Sequence, residues 1–361
     1  MEPINSKSDN NLKYISIGYA ILAALLYGIS APVSKLLLVK LSPTMMAALL
    51  YLGAGLGMLF INILKRIRRV EQNEAKMTKK EMPYIIGMIL LDIAAPIFLM
   101  IGLLSSTSGN ASLLNNFEIV ATSLIALFIF KEAIGKRMWI AIGFITLSSM
   151  ILSFSDITSL KFSIGSLFVL LACISWGLEN NCTRMLSLKD PLQIVVVKGL
   201  GSGFGALIIA FAIKAVTFHF LYVIMALLLG FVAYGMSIYF YITAQRTLGA
   251  ARTSAYYAAA PFIGVLVSWV FLREPITINF LIALGIMLLG TYYAVTEDHG
   301  HSHAHAVEAH EHKHRHDDGH HDHVHDTPII GEHSHEHQHE AMIHTHAHTP
   351  DLHHRHTHTH A

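Results

Sequence analysis

Two stretches of this chain resemble each other and decide its fold. Residues 108–132 read SGNASLLNNFEIVATSLIALFIFKE, and residues 249–274 read GAARTSAYYAAAPFIGVLVSWVFLRE. Both begin with small residues, continue as an apolar segment and end in a basic residue followed by Glu. The shorter matching motifs are Lys131-Glu132 with Arg273-Glu274, and Tyr27-Gly28 with Trp176-Gly177. The chain therefore contains an internal repeat, which is the first feature to establish in any sequence.

The composition indicates a membrane protein. Of the 361 residues, 53% are hydrophobic and only 14% are charged, whereas soluble domains carry about 25% charged residues. Of the 25 histidines, 24 lie between His299 and His360, in a polar tail. Cys173 and Cys182 share one apolar segment, so no disulfide framework is expected. Apart from the acidic tail the chain is net basic, which we attribute to membrane orientation rather than to nucleic acid.

Ten apolar segments are long enough to cross a hydrocarbon core of about 30 Å, which needs about 20 residues. Their limits are 14–38, 42–64, 82–104, 108–130, 138–154, 163–185, 191–212, 218–243, 250–272 and 276–296. The first is too long for a signal peptide and lacks a cleavage site. The sequence therefore predicts an all-α integral membrane protein in contact with the lipid bilayer.

Basic residues in the short loops predict the orientation, because Lys and Arg accumulate on the cytosolic side. The second loop carries seven of them: Lys65, Arg66, Arg68, Arg69, Lys76, Lys79 and Lys80. The fourth, sixth and eighth loops are also basic, whereas the other side has few such residues. Both termini are therefore expected in the cytosol of a multi-pass protein of the cell membrane.

Each repeat unit contains five predicted spans, and an odd number places the two copies in opposite orientations. Such inverted repeats commonly enclose a binding site at the bilayer midplane. The predicted divisions are a cytosolic N-terminus at 1–13, a first repeat at 14–154, a linker at 155–162, a second repeat at 163–296 and a histidine-rich tail at 297–361.

On these motifs the chain resembles the drug/metabolite transporter superfamily, and within it the EamA-type permeases. The resemblance covers roughly residues 14–296 and implies a ten-helix transporter with a central cavity, usually exporting small organic solutes. One departure is that the Glu-Pro often found in the fourth span reads Glu118-Ile119 here, whereas Pro261 is present in the ninth. The sequence therefore does not decide whether the fourth helix is bent. It also does not decide whether the protein is a homodimer.

Four charged residues lie inside predicted spans: Asp92, Glu118, Glu179 and Lys198. A charge near the bilayer centre costs at least about 2.5–3.5 kcal/mol, so each is a candidate functional residue. For Glu179 and Lys198 we favour a structural ion pair, which would neutralise both. Asp92 lies one turn before Pro96 and could face either a kink or the cavity.

Polar side chains on four spans are predicted to line one cavity. Asn115 and Thr122 share a helical face with Glu118 on the fourth span, and Trp176, Glu179, Asn180 and Thr183 are expected to share a face of the sixth. Ser30 on the first span and Tyr257 on the ninth complete the candidate substrate-binding and coupling residues. Hydroxyl and amide groups can equally bond between helices. Glu118 needs a partner, a proton or a ligand, and loss of water favours its neutral form, which would suit a proton-coupled carrier.

The tail repeats the pattern His-x-His and contains few apolar residues, so we expect disorder. Neutral imidazole binds nickel, cobalt, zinc and copper, and such tracts are typical of divalent transition-metal binding. The candidate ligands are His301, His303, His305, His310, His312, His314, His316, His333, His335, His337, His339, His344, His346 and His348. A solvated appendage without a metal is the alternative.

These features favour a secondary transporter of a small solute that requires no cofactor and carries a metal-binding cytosolic tail.

 The expected mode of transport is export of the solute, with proton coupling through Glu118. The runner-up is a transporter of a divalent metal such as nickel, cobalt or zinc, loaded from the tail, which would make the substrate a cation. A third hypothesis is a metal store or sensor that transports nothing. An enzyme is not expected, because no catalytic trio or phosphate-binding glycine loop is present.

Overall fold

The architecture comes from a computed structural model. It describes residues 6–67, 79–130, 134–156, 161–186, 189–248, 250–296, 300–305, 309–314, 333–338 and 342–347. From residue 6 to residue 296 the described chain is almost entirely helical, as the apolar segments predict.

The first half contains seven α-helices that form five segments. Their bounds are α1 Ser6–Gly28, α2 Ser30–Leu37, α3 Pro43–Ile67, α4 Met82–Ser105, α5 Ser108–Leu114, α6 Phe117–Phe130 and α7 Lys136–Ser153. A short 3₁₀ turn, Lys79–Glu81, precedes α4. Two short antiparallel strands, β1 Phe154–Asp156 and β2 Lys161–Phe162, follow α7 and lead into the second half.

The second half repeats the arrangement. Its helices are α8 Ile164–Arg184, α9 Pro191–Ala212, α10 Phe220–Leu229, α11 Ser237–Leu248, α12 Ala250–Tyr257, α13 Ala260–Leu272 and α14 Ile278–Val295. A π-helical segment, Gly230–Met236, joins α10 to α11.

The helical segments lie at the positions predicted for the spans. Within the part of the chain that the structure describes, eight of them are long and apolar enough to cross a membrane. The other two predicted spans are α7, with 18 residues, and the segment divided between α12 and α13. Large apolar side chains also point away from the protein: Phe271 and Ile278 are each 77% exposed. A soluble protein rarely exposes so much apolar surface, so lipid is the solvent for this face.

Helix pairing follows the inverted repeat. In the first half α4, the third segment, packs on α8, and its counterpart α11 packs on α1 in the same way. The pairs α3 with α9 and α7 with α14 each join equivalent segments of the two halves. The two halves therefore interlock rather than lie side by side, and the predicted inverted five-helix repeats are confirmed.

The helices that flank the centre are broken. α1 gives way to α2 at Ile29, α5 to α6 at Asn115-Asn116, and α12 to α13 at Ala258-Ala259. α5 has 7 residues and α12 has 8, so the breaks occupy matching places in the two halves. Discontinuous helices at mid-membrane expose backbone groups and are typical of transporter binding sites.

The fourth segment breaks even though Glu118-Ile119 replaces the Glu-Pro often found there. The carbonyl groups released at the break have partners from side chains. The Asn116 Nδ2 donates to the Leu113 oxygen at 3.3 Å, and the Cys173 Sγ contacts the Leu114 oxygen at 3.6 Å. Because lipid offers no such partners, these contacts make the break tolerable without proline.

Four further strands lie within the described residues of the tail. They pair in antiparallel register as β3 Gly300–His305 with β6 Met342–Ala347, and β4 Ala309–His314 with β5 His333–Gln338. The register sets His303 opposite His344 and His312 opposite His335. For the rest of the tail, which lies outside the described residues, disorder stays a prediction.

Close helix packing at Gly199 gives a test of this fold. A Cβ on Gly199 would lie 2.6 Å from the Gly55 Cα, whereas a Cβ on Gly143 would meet nothing within 4 Å. We expect Gly199→Ala to lower the free energy of unfolding by about 1–3 kcal/mol through overpacking, seen as a lower thermal midpoint in detergent. Gly143→Ala is the matched control and should leave the midpoint unchanged or slightly higher. Equal midpoints for the two variants would contradict the α3–α9 contact.

Candidate functional site

A buried charge cluster joins three helices near the centre. The Lys198 Nζ on α9 lies 3.1 Å from the Asp92 Oδ2 on α4 and 2.9 Å from the Glu179 Oε1 on α8. The side chains of Asp92 and Glu179 are 0% and 1% exposed. The structure thus contains the predicted pair of Glu179 with Lys198 and adds Asp92, for which the sequence left two places open. We call these three residues the charge triad.

Three neighbours add hydrogen bonds at or next to the charge triad. The Tyr51 hydroxyl donates to the Asp92 Oδ1 at 2.8 Å and accepts from the Trp176 Nε1 at 3.3 Å. The Thr183 hydroxyl donates to the Glu179 Oε1. Sequence reasoning missed Tyr51. The one feature that could have indicated it is its hydroxyl group, within a largely apolar stretch of α3. The positive charge of Lys198 is therefore already balanced by protein groups.

Glu118 occupies a separate position, in the first turn of α6. The Asn180 Nδ2 donates to the Glu118 Oε1 at 2.6 Å and to the Thr122 Oγ1 at 3.3 Å. Unlike Glu179, Glu118 is partly exposed. Asn115 belongs to the break before α6, where its carbonyl accepts from the Glu118 amide at 3.1 Å.

The polar stripe predicted on the sixth span divides between these two clusters. Trp176, Glu179 and Thr183 serve the charge triad, whereas Asn180 faces Glu118. The prediction of one shared face was wrong in this detail. Adjacent positions of a helix differ by about 100° in direction, so Glu179 and Asn180 can reach different neighbours.

Tyrosine rings from both halves form one cluster at the centre. Ring centroids of Tyr27 and Tyr234 are 5.8 Å apart, those of Tyr27 and Tyr257 are 5.9 Å apart, and those of Tyr241 and Tyr257 are 5.0 Å apart. The Ser30 hydroxyl donates to the Tyr234 oxygen at 3.2 Å. Ser30 and Tyr257, both predicted from sequence, therefore belong to one group.

A small pocket lies at the break of the first span. Its lining comes from both halves: Tyr27, Gly28, Ser30, Ala31, Leu99, Ser112, Asn115, Ala260 and Pro261. The space open to a water-sized molecule is about 10 Å³, roughly enough for one water. A larger solute therefore requires the halves to move apart.

The two halves meet closely on one side of this pocket. The Glu274 carboxylate, at the end of the ninth segment, accepts from the backbone amides of Ser108 and Gly109 at 2.8 and 2.9 Å. These amides begin α5 and have no partner within their own helix. One half thus caps a helix of the other half. Glu132, the counterpart of Glu274, lies outside the described residues.

The predicted metal ligands can be placed only in part. His316, His339 and His348 lie outside the described residues. The other predicted ligands lie in the strands β3–β6. Among the described residues, no group of three or more His, Cys, Asp or Glu side chains is brought together to hold a metal ion.

The fold and the site define a class of protein, namely a multi-pass membrane protein whose two inverted halves enclose polar groups at their centre. The EamA-like transporter family model matches residues 14–154 and 163–296, so the chain belongs to the EamA-like transporter family.

The chain is also similar to one curated protein and to one solved structure. An uncharacterized transporter of Methanothermobacter thermautotrophicus is 29% identical over 293 residues, which cover 77% of this chain and 84% of that protein. A solved crystal structure superposes with a TM-score of 0.56 at 14% identity, covering 78% of this chain and 96% of the other. The second likeness concerns the fold alone.

The charge triad yields a test by charge removal. Lys198→Met would leave the buried carboxylates of Asp92 and Glu179 without a partner, and we expect it to destabilise the protein by about 3–5 kcal/mol. Neutralising all three positions, with Lys198→Met, Asp92→Asn and Glu179→Gln together, should recover most of that loss. Thermal unfolding in detergent measures both. A triple variant no more stable than Lys198→Met would contradict the view that unpaired charge is the cause.

Proposed function

We propose that this protein is a secondary transporter that exports a small solute and carries a cytosolic metal-binding tail. Membership of a transporter family supports transport. The observation that carries the proposal is the convergence of Glu118, Asn180 and the tyrosines of both halves at broken helices. Groups that belong to two inverted halves change their mutual position when the halves rock, which is what alternating access requires.

The orientation follows from the basic loops. With Lys and Arg concentrated in the second and fourth loops, both termini lie in the cytosol. The tail then meets cytosolic metal. Since unperturbed histidine has a pKa of about 6.5, most tail histidines are neutral in the cytosol and available as ligands. Below that pH they gain charge, and the tail releases its metal.

Transport of a divalent metal is the second candidate, and the histidine tail is the observation that favours it. The central oxygen donors Glu118, Asn180 and Thr122 offer such an ion a transient site. In this version the tail loads the transporter rather than senses or buffers metal.

Flux from proteoliposomes tests these functions. The purified chain, with and without residues 299–361, is reconstituted and challenged with a panel of metabolites and of nickel, cobalt and zinc. Solute export predicts organic flux that survives deletion of the tail, together with loss of bound metal. Selective loss of metal flux would favour the second candidate, and flux of nothing in the panel by either chain would contradict both.

Coupling through Glu118 predicts a flux that depends on pH. In this proposal the Glu118 carboxyl, which lies inside a span, exchanges a proton as the solute binds and leaves. The titratable or charged groups around it are Glu179, Lys198, Cys173, Tyr27, Tyr234, Tyr241 and Tyr257. We expect Glu118→Gln to remove the pH dependence of flux.

The matched control is Glu274→Gln, which changes a carboxyl that caps a helix away from Glu118. This variant should keep the wild-type pH profile. If Glu118→Gln keeps that profile as well, another group carries the coupling.

A further inference from the structure

A carboxylate joins the two halves at the end of the protein opposite the basic loops, which is the outer end in the orientation proposed above. The Glu274 Oε1 and Oε2 accept from the backbone amides of Ser108 and Gly109 at 2.8 and 2.9 Å. The Ser108 hydroxyl also donates to the Oε1 at 2.9 Å. Hydrogen bonds to a carboxylate are stronger than those between neutral groups. We call this contact of Glu274 with Ser108 and Gly109 the outer latch.

The backbone before Glu274 is turned so that this contact can form. Arg273 ends α13 in the left-handed region, with φ 51° and ψ 37°, which is uncommon for a residue other than glycine. The amides of Arg273 and Glu274 both bond to the Ser268 oxygen, so the chain turns tightly and Glu274 stays beside the end of α13. Such a conformation persists only where surrounding contacts hold it, and it is often found at functional sites.

Below the outer latch, α5 and α13 lie in close contact. The hydroxyl oxygens of Ser108 and Ser268 are 2.9 Å apart. One turn deeper, a Cβ on Gly264 would lie 2.5 Å from the Ser112 Oγ. Ser112 of α5 and Ala260 of α13 both line the pocket at the centre. The contact of α5 with α13 is therefore the wall of the pocket toward the outer end.

The two broken segments meet through their outer pieces. α5 packs on α13, whereas the inner pieces α6 and α12 pack on other helices, α6 on α7 and α8 and α12 on α1 and α11. Within the described helices, no packing of similar extent joins α6 to α12. The fourth and ninth segments are therefore close together at the outer end and diverge toward the cytosolic end.

We propose that the outer latch closes the pocket to the outside and must break whenever the protein opens outward. This inference rests on the proposed transport function and assigns Glu274 a role in it. Rocking of the halves separates α5 from α13, and water at the outer end then replaces the carboxylate as partner of the two amides. A change at Glu274 alters the size of the flux, whereas the coupling control described above compares the shape of its pH profile.

Access to the pocket from outside tests the outer latch directly. In a full chain with Cys173→Ser and Cys182→Ser, Ser30→Cys places a single thiol in the pocket lining, where Ser30 is 4% exposed. A membrane-impermeant methanethiosulfonate reagent is added to intact cells, and the rate of labelling is measured. We expect Glu274→Ala to raise this rate about 10-fold or more, the factor that corresponds to the loss of one hydrogen bond to a charged group.

The matched control is Arg273→Asn. It removes the neighbouring charge and keeps the carboxylate, and asparagine tolerates the left-handed conformation. Its labelling rate should stay near that of the chain with both residues intact. Equal rates for Glu274→Ala and Arg273→Asn would overturn the proposal. A rise seen only in inverted membrane vesicles, where the reagent meets the cytosolic face, would overturn it as well.

A reversible cross-link tests whether the outer latch has to open for flux. Ser108→Cys and Ser268→Cys are combined in the same background, where two sulfurs need only a small movement to bond at about 2.05 Å. Oxidation, verified by loss of free thiols, should stop flux from proteoliposomes, and a reductant should restore it. Each single variant is the control and should not respond to the oxidant.

The outcomes keep the two proposals apart. Flux that continues through the cross-linked chain would overturn the outer latch and leave transport in place. If the unaltered chain carries no solute, the labelling experiment still decides about the outer latch, because it needs no substrate. Faster labelling of the Glu274→Ala variant without flux of any solute would contradict the transporter and support the outer latch as a closure of the pocket.

Discussion

The ion pairs of Lys198 with Asp92 and Glu179 are the interaction on which the centre of this protein depends. Lipid offers no solvent for a charge, so an ammonium group at this depth must find its counter-charges within the protein. Three helices supply the charged members of this network, and Tyr51 on a fourth donates to Asp92. The network therefore fixes the relative positions of α3, α4, α8 and α9. It joins both halves, because Tyr51 and Asp92 belong to the first and Glu179 and Lys198 to the second.

The same constraint governs the broken helices. Every break releases backbone groups, and in a bilayer each of them needs a partner. At the fourth segment the Asn116 amide and the Cys173 thiol provide partners, and at its start Glu274 reaches across from the other half. The breaks are useful because they bring polar backbone and side chains to mid-depth. Side chains packed against the breaks provide hydrogen-bond partners for the backbone groups that the breaks release.

The sequence was sufficient for the segments and their repeat but not for all of the contacts. Hydropathy alone locates the spans, because the length of a span is set by the bilayer. The pair of Glu179 with Lys198 could be predicted since both charges lie at similar depth. The place of the third member, Asp92, could not be predicted, because either face of its helix could turn toward the centre. Only the packing of the helices decides which face does so. Tyr51 was missed because a lone tyrosine in an apolar helix looks like any other core residue. The break at Asn115 rests on Asn116, which is local, and on Cys173 of another helix, whose contact no local pattern reveals.

The repeat also explains why the two walls of the site differ in chemistry. Counting back from Glu132 and Glu274, Glu118 and Ala260 each stand 14 residues before, and Asn115 and Tyr257 each stand 17 before. The two halves thus have a similar backbone conformation, including the break. At the matching position the first half has the carboxyl group of Glu118 and the second has the methyl group of Ala260. Had both halves kept the carboxyl, two like charges would face each other in low dielectric. With a carboxyl in one half and a tyrosine about one turn before the matching position of the other, the symmetric fold presents different chemistry on its two walls, and rocking of the halves changes the distance between them.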